Sequence, residues 1–307
     1  MKHTKYQLLY YIDILTKLAI SFFAKKNAFI FILYLFTLIA PSYSFAVPIS
    51  SSNSHNEQKM SSRLSSFLDA HDSITPEMKE KAIQKIIDFD KNFKITTTNE
   101  AKTVRRLFFA VQETFLKEYV LYSSFFQTID DGKFDCLTGS VLYAVFLEEI
   151  KRKGNFDYIY QIVQMPTHVF VKIELSDKSE IIFESTGFDK GFIATPKGID
   201  FYLQQQIKKV QEETQSESVI LLNNQKLNNL VTLEAASALL YFNQGVLFFN
   251  QRKFGKSLKM AKNAFFYHKN EAFYDLIRLS LQELLKNNII SEKEYTLNIK
   301  NTDMVNN

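Results

Sequence analysis

The fold is decided by the sequence GKFDCLTGSVLYA at residues 132–144. This stretch contains Cys136, the single cysteine of the 307-residue chain. A turn signal, DDG at residues 130–132, precedes the cysteine. After it, apolar residues recur at the three- and four-residue spacing that is typical of a helix. The sequence therefore predicts that Cys136 lies at the start of a buried helix.

A thiol at the start of a helix is activated by its position. The first backbone N–H groups of a helix have no partner within it, and the helix dipole adds partial positive charge, so both stabilise a thiolate. The small residues Thr138, Gly139 and Ser140 allow the helix to pack closely against a neighbour. An inert buried thiol is the other interpretation of a lone cysteine, and the segments that follow favour the reactive one.

A nucleophilic thiolate needs a general base and a group that orients the base. Runs rich in β-forming residues at 158–165, 168–175 and 180–186 predict a three-stranded antiparallel sheet after the helix. His168 begins the middle run and is the only histidine within the predicted helix and sheet region. Glu184 lies on the last run. The chain order is thus cysteine, histidine and acid.

Three motifs make this region similar to the transglutaminase-like branch of the papain-type cysteine enzymes. They are DCLTGS at residues 135–140, PTHVFV at residues 166–171 and FEST at residues 183–186. The resemblance covers residues 100–200. It implies an α+β fold with a papain/transglutaminase-like core, in which helices pack on an antiparallel sheet.

The resemblance also implies a catalytic triad of Cys136, His168 and Glu184. The family usually has Asp at the position of Glu184, so Asp189 is the alternative third residue. Papain-type enzymes place a glutamine before the nucleophile, where its amide helps to hold the oxyanion. The resemblance implies Gln127 for this role, with an ordinary surface amide as the other interpretation.

The pairing of the last two strands determines which acid can reach the histidine. A tight two-residue hairpin would place Leu175 opposite Glu180, and Ser185 rather than Glu184 would then share the face of His168. An odd-length loop or a bulge shifts the register by one residue and gives that face to Glu184. The match of the FEST motif to the family favours Glu184.

Composition excludes several classes of function. With 46% hydrophobic residues the chain can bury a sizeable core in one or two domains. The net charge is +4, and no dense Lys/Arg block interleaves with aromatic residues, so nucleic-acid binding is not predicted. One cysteine forbids an internal disulfide, and no Cys/His cluster has zinc spacing. The sequence predicts neither a metal nor a cofactor.

Residues 1–46 have the pattern of a leader. Lys25 and Lys26 precede an apolar run at 28–40, and small residues at Ser44 and Ala46 mark a cleavage site, as in a secretory signal peptide. Extended further, the same run is compatible with one uncleaved membrane anchor. Both interpretations predict an extracytoplasmic protein, periplasmic or secreted. Contact with the membrane is expected only through the N-terminal segment, if that segment is uncleaved.

Helices dominate on both sides of the predicted thiol region. An N-cap at Thr75 predicts a helix through about residue 93. The residues TNE at 98–100 precede a second predicted helix, which is expected to pack beside the Cys136 helix. Pro196 and Gly198 predict a turn, residues 202–210 a helix, and residues 218–222 one more strand.

The C-terminal part has the pattern of a tetratricopeptide repeat, with a plain helical hairpin as the other interpretation. The matching positions are Tyr241, Gly245, Phe248, Phe254, Ser257, Ala261 and Ala264. One repeat cannot bury its own apolar face, so it is expected to dock on the thiol domain. A helix at 271–286 follows, and the chain from residue 301 is expected to be loose.

These predictions divide the chain into a leader (1–46), a linker and first helix (47–72), a transglutaminase-like domain (73–232), a helical tetratricopeptide-like unit (233–290) and a tail (291–307). The predicted function is an exported cysteine hydrolase or acyltransferase that attacks an amide of a peptide or protein. The alternative is a non-catalytic protein-binding module with a degenerate thiol domain. In both cases the helical repeat offers a surface to a protein partner.

Overall fold

The computed structural model describes residues 51–165, 168–214 and 229–304, and the described residues from Ser54 onward form one compact unit. The predicted leader at 1–46, the predicted strand at 218–222, and Pro166 and Thr167 of the second motif lie outside the described residues. No helix in the described ranges is long and apolar enough to cross a membrane. The architecture mixes helices with an antiparallel sheet, which confirms the α+β class.

The described helices are α1 (Ser51–Leu68), α2 (Pro76–Asn92), α3 (Glu100–Phe115), α4 (Phe125–Asp130), α5 (Cys136–Gly154), α6 (Pro196–Thr214), α7 (Ala236–Asn250), α8 (Phe254–Tyr267), α9 (Glu271–Lys286) and α10 (Glu292–Met304), with a 3-10 helix at Ser185–Lys190. The described strands are β1 (Glu118–Tyr119), β2 (Lys133–Phe134), β3 (Ile159–Gln164), β4 (Val169–Glu174), β5 (Glu180–Phe183), β6 (Phe192–Ile193) and β7 (Asn229–Val231).

The helices before and at the cysteine begin where the sequence predicts. The side chains of Thr75, Asn99 and Asp135 each accept a hydrogen bond from a backbone N–H in the first turn of α2, α3 and α5. Helix α3 lies beside α5, as expected. The ring of Tyr143 on α5 stacks on that of Phe108 on α3, with 5.2 Å between centroids. Local capping chemistry therefore fixes these starts.

The main sheet has the strand order β6-β5-β4-β3-β7, and every neighbouring pair is antiparallel. The three predicted strands form its centre. Strands β6 and β7 were not predicted, because two or three residues carry too little periodicity to be recognised. A separate parallel pair joins β1 to β2, directly before the cysteine.

The hairpin between β4 and β5 differs from the tight turn that the sequence analysis considered. Val171 pairs with Phe183 and Glu174 with Glu180, which is the register shifted by one residue. Lys178 supplies the extra residue by adopting a left-handed backbone conformation, with φ of 69°. Such a residue after a turn forms a bulge in a three-residue hairpin loop. Glu184 consequently shares a sheet face with His168.

The two faces of the sheet are covered by different helices. Odd-numbered β4 residues such as Val171 pack in the main core with α5, and the Ser140 hydroxyl of α5 donates to the backbone oxygen of Val169 at 3.1 Å. Phe170 and Ile182 face the other side, against Ile199 of α6. The predicted turn at Pro196 is wrong because proline suits the first position of a helix, and α6 begins there.

Helices α7 to α10 form the C-terminal part of the unit. A Cβ on Gly245 would lie 3.0 Å from the Leu276 side chain, so α7 and α9 approach closely there. The expected loose chain is wrong for residues 301–304, because α10 continues to Met304, and residues 305–307 lie outside the described residues. Its start is fixed by a capping box in which the Ser291 N–H donates to Glu294 at 2.8 Å.

We expect Gly139→Ala to lower the free energy of unfolding by about 1–3 kcal/mol, because overpacking a filled core costs that much. The added Cβ would lie 2.6 Å from the Cβ of Ser185, between α5 and the 3-10 helix. Gly255→Ala is the control, since nothing lies within 4 Å of its Cβ position. It should leave stability unchanged or raise it by up to about 1 kcal/mol. Equal effects of the two changes in urea unfolding would contradict the close packing.

Candidate active site

The thiol lies at the first residue of α5, as the sequence predicts. Asp135 caps this helix: its Oδ1 accepts the Thr138 N–H at 2.8 Å, and the Thr138 hydroxyl accepts the Asp135 N–H at 3.0 Å. Asp135 and Thr138 are buried, whereas Cys136 is partly exposed. The capping box therefore holds the thiol rigidly at a helix start that solvent can reach.

His168 and Glu184 form the central contact of the site. The imidazole Nε2 lies 2.5 Å from Glu184 Oε2, and the two side chains are only 17% and 8% exposed. The Cys136 side chain lies close enough to the imidazole to raise its pKa. Because the carboxylate occupies Nε2, Nδ1 is the ring nitrogen left for the thiol. The structure thus brings the three predicted triad residues together.

Glu184 is fixed by more than the histidine. Its Oε1 accepts the Thr186 N–H at 2.9 Å and the Thr186 hydroxyl at 2.6 Å, and its Oε2 accepts the Tyr202 hydroxyl. Asp189, the alternative third residue, is exposed on the 3-10 helix. The contact with His168 is made by Glu184, because the bulge at Lys178 brings it to the histidine face.

The pKa values of the pair move in opposite directions. Burial alone lowers the pKa of His168, but hydrogen bonds to Cys136 and Glu184 raise it to about 10. Burial alone raises the pKa of Glu184, but the bonds from His168, Thr186 and Tyr202 lower it to about 2. At neutral pH the pair is therefore an imidazolium and a carboxylate. The positive charge of the pair therefore lies on the imidazole, next to Cys136.

Tyr202 belongs to the site and was missed by the sequence analysis. Its hydroxyl lies 3.1 Å from His168 Nε2 and donates to Glu184. Burial and the charge of Glu184 raise the pKa of Tyr202, so the hydroxyl stays protonated and acts as a donor. The sequence predicts a helix at 202–210, but no spacing rule links this helix to the strand that begins after His168.

Gln127 lies in the first turn of α4, where it takes part in a capping box. Its Oε1 accepts the Ser124 N–H at 2.9 Å, and the Ser124 hydroxyl accepts the Gln127 N–H at 3.2 Å, so the side chain caps α4. Among the contacts of the described residues, none joins Gln127 to Cys136 or His168. Its oxyanion role stays a prediction. The backbone N–H of Cys136 is the donor that its helix-start position provides.

The C-terminal helices contribute directly to the cysteine segment. Asn243 of α7 donates from Nδ2 to Asp135 Oδ2 at 2.7 Å, and its neighbour Gln244 donates to the backbone oxygen of Tyr122 at 2.8 Å. Tyr122 has φ of 62°, a left-handed conformation that costs a non-glycine residue free energy. Burial raises the pKa of Asp135. The expected docking of the helical unit on the thiol region is therefore present.

No group of three His, Cys, Asp or Glu side chains in residues 51–165, 168–214 and 229–304 is placed to hold a metal ion. The polar groups that meet near Cys136 are one imidazole, one carboxylate and one phenol, which can transfer protons and stabilise charge.

Comparison with known proteins gives little similarity. No family model and no curated protein matches the chain. One solved structure that is similar is a crystal structure of menin, described as revealing the binding site for Mixed Lineage Leukemia protein. The TM-score is 0.36 and the identity 10%, over 76% of this chain and 60% of the menin chain. A likeness of this size supports no conclusion about function.

The His168–Glu184 charge pair makes the free energy of unfolding decrease at both high and low pH. The folded pKa of His168 is raised from 6.5, so its contribution is complete below pH 6.5 and is lost as the pH rises through about 10. The folded pKa of Glu184 is lowered from 4.5, so its contribution is complete above pH 4.5 and is lost as the pH falls through about 2. Both contributions are complete between pH 4.5 and pH 6.5, the ordinary pKa values of the two groups.

We therefore expect Glu184→Gln to lower the free energy of unfolding most between pH 4.5 and 6.5. Breaking a buried pair costs on the order of 3 kcal/mol. Urea unfolding across a pH series measures the difference from wild type, with the exposed Asp189→Asn as the control. A difference of the same size at every pH would contradict the ion pair.

We expect Asn243→Ala to lower the free energy of unfolding by about 1–3 kcal/mol, because it leaves the buried Asp135 Oδ2 without its amide donor. Alkylation of Cys136 should also slow, since Asp135 caps the helix that begins with the thiol. Asn250→Ala is the matched control, because Asn250 is exposed at the end of the same helix. Equal behaviour of the two variants would count against a role of α7 in the site.

Proposed function

We propose that this protein is a cysteine hydrolase or acyltransferase of the transglutaminase-like class that acts on an amide of a peptide or protein. The observation that carries the proposal is the chain of contacts from Cys136 through His168 to Glu184, with 2.5 Å between imidazole and carboxylate. A nucleophile, a base and an orienting acid in hydrogen-bonding reach are the parts that acyl transfer requires.

In the proposed reaction the Cys136 thiolate attacks the carbonyl carbon of the amide. A carbon–sulfur bond forms, and the electron pair of the carbonyl moves to oxygen, where the Cys136 backbone N–H stabilises the charge. When the intermediate collapses, the carbon–nitrogen bond breaks and the His168 imidazolium gives its proton to the leaving amine. The product is a thioester on Cys136.

The thioester is then resolved by water or by an amine. His168, now neutral, takes a proton from the attacking group, and the carbon–sulfur bond breaks to restore the thiolate. Glu184 holds the imidazole orientation and stabilises the imidazolium through both halves of the reaction. Hydrolysis and transamidation differ only in this second nucleophile.

The finer fold assignment belongs to the same proposal. A papain/transglutaminase-like core is supported by a thiol at the start of α5, by the packing of α5 on an antiparallel sheet, and by a histidine directly before β4 and an acid directly after the neighbouring β5. A tetratricopeptide-like unit is supported by the close approach of α7 and α9 at Gly245. The leader pattern supports the proposal that the protein is exported or anchored outside the cytoplasm.

We expect the thiol of native Cys136 to react with iodoacetamide at pH 7 at least 10-fold faster than in urea, because His168 stabilises the thiolate only in the folded site. His168→Ala should remove the enhancement. His268→Ala is the control, since that histidine is exposed after α8. A native rate at or below the urea rate would reject catalysis and favour the non-catalytic binding module.

A further inference from the structure

A buried aromatic ring lies directly before the nucleophile and contacts two exposed rings. Phe134 is fully buried, two residues before Cys136. Tyr119 meets it at 6.1 Å between centroids with perpendicular planes, and Phe188 meets it at 6.3 Å with planes at 80°. Tyr119 is 46% exposed and Phe188 is 48% exposed. Two partly exposed aromatic rings therefore flank the segment that carries the thiol.

Phe188 adopts a backbone conformation that a phenylalanine rarely takes. Its φ is 49° and its ψ is −131°, a region in which a side chain is strained by about 1–3 kcal/mol. A half-exposed ring recovers little of that cost by burial. Backbone hydrogen bonds join the turn that carries Phe188 to Glu184. The Glu184 N–H donates to the backbone oxygen of Gly191 at 2.9 Å, and the Gly191 N–H donates to the backbone oxygen of Phe188 at 3.0 Å.

Tyr119 is held on the other side of Phe134 by backbone pairing. Strand β1 runs parallel to β2 with Tyr119 beside Phe134, and the next N–H, of Val120, donates to the Phe134 oxygen at 2.8 Å. Burial raises the pKa of Tyr119 to about 12, together with the negative charges of Cys136 and Asp135. Its hydroxyl is thus neutral and within electrostatic range of the nucleophile.

We propose that Tyr119 and Phe188, both packed on the buried Phe134, are the two walls of a subsite that binds an apolar side chain of the acyl donor beside Cys136. This inference rests on the proposed function and names its substrate class: an amide whose acyl side carries an aromatic or large aliphatic residue. Exposed rings bind such a side chain by removing apolar surface from water and by edge-to-face contact. The strain at Phe188 is retained because its ring contacts the substrate.

The experiment compares two chloromethyl ketones that differ only in carrying a phenylalanyl or a glycyl residue, applied to the full chain. We expect the phenylalanyl probe to label Cys136 on the order of 10-fold faster or more, as burial of one apolar side chain gives. Tyr119→Ala and Phe188→Gly should each move the ratio of the two rates toward one. Phe266→Ala, which removes an exposed ring on α8, should keep the wild-type ratio.

The melting temperature of Phe188→Gly provides a second measurement, for which a ring with a purely structural role predicts a different result. Phe188→Gly should unfold at or above the wild-type temperature, because glycine adopts the observed φ and ψ without strain. A ring needed only for packing would instead lower that temperature when removed. A low melting temperature of this variant, with an unchanged probe ratio, would overturn the inference.

The remaining outcomes are also decisive. Equal rates of the two probes on wild type, or no labelling by either while iodoacetamide still reacts rapidly, would overturn the subsite. A high ratio that both variants retain would do the same. Slow iodoacetamide labelling of wild type marks failure of the proposed function itself, and the subsite then falls with it.

Discussion

The structure of the site depends on the buried contact between His168 and Glu184. A buried charge pair is favourable only when its polar atoms are all satisfied. Four hydrogen bonds meet this requirement at Glu184: two from Thr186, one from His168 and one from Tyr202. The 3-10 helix after β5 and the placement of α6 on the sheet are therefore the elements that make an ionised pair possible in the interior.

The thiol reaches this pair because α5 is held against the histidine strand. Ser140 bonds the backbone oxygen of Val169, the residue after His168, and Gly139 allows close contact with Ser185, the residue after Glu184. Two adjacent small residues of α5 thus contact the neighbours of both triad partners. A larger side chain at either position would move the first turn of the helix, and Cys136 with it.

The parts predicted correctly from sequence are those with local signals. The cap at Thr75, the helix after Asn99, the helix start at Cys136 and the three central strands all follow from residues near them in the chain. The register of β5 does not follow from the loop sequence, because a left-handed lysine at position 178 has no signature comparable to glycine, and only the FEST motif favoured it. Tyr202 and Asn243 reach the site only through tertiary packing.

The capping box at Ser291 was present in the sequence, and the polar composition around it concealed the helix.

Asp135 joins the chemistry of the thiol to the C-terminal helices. One carboxylate oxygen caps α5, and the other accepts the amide of Asn243. Burial raises the pKa of this carboxyl, and the hydrogen bonds from Thr138 and Asn243 act against that rise. Without α7, Asp135 Oδ2 would lose the amide that holds it in place. A carboxylate held less firmly is a weaker cap for the first turn of α5, which carries Cys136. The helical unit therefore acts on the thiol through one buried carboxylate, and the site is a property of the whole compact unit.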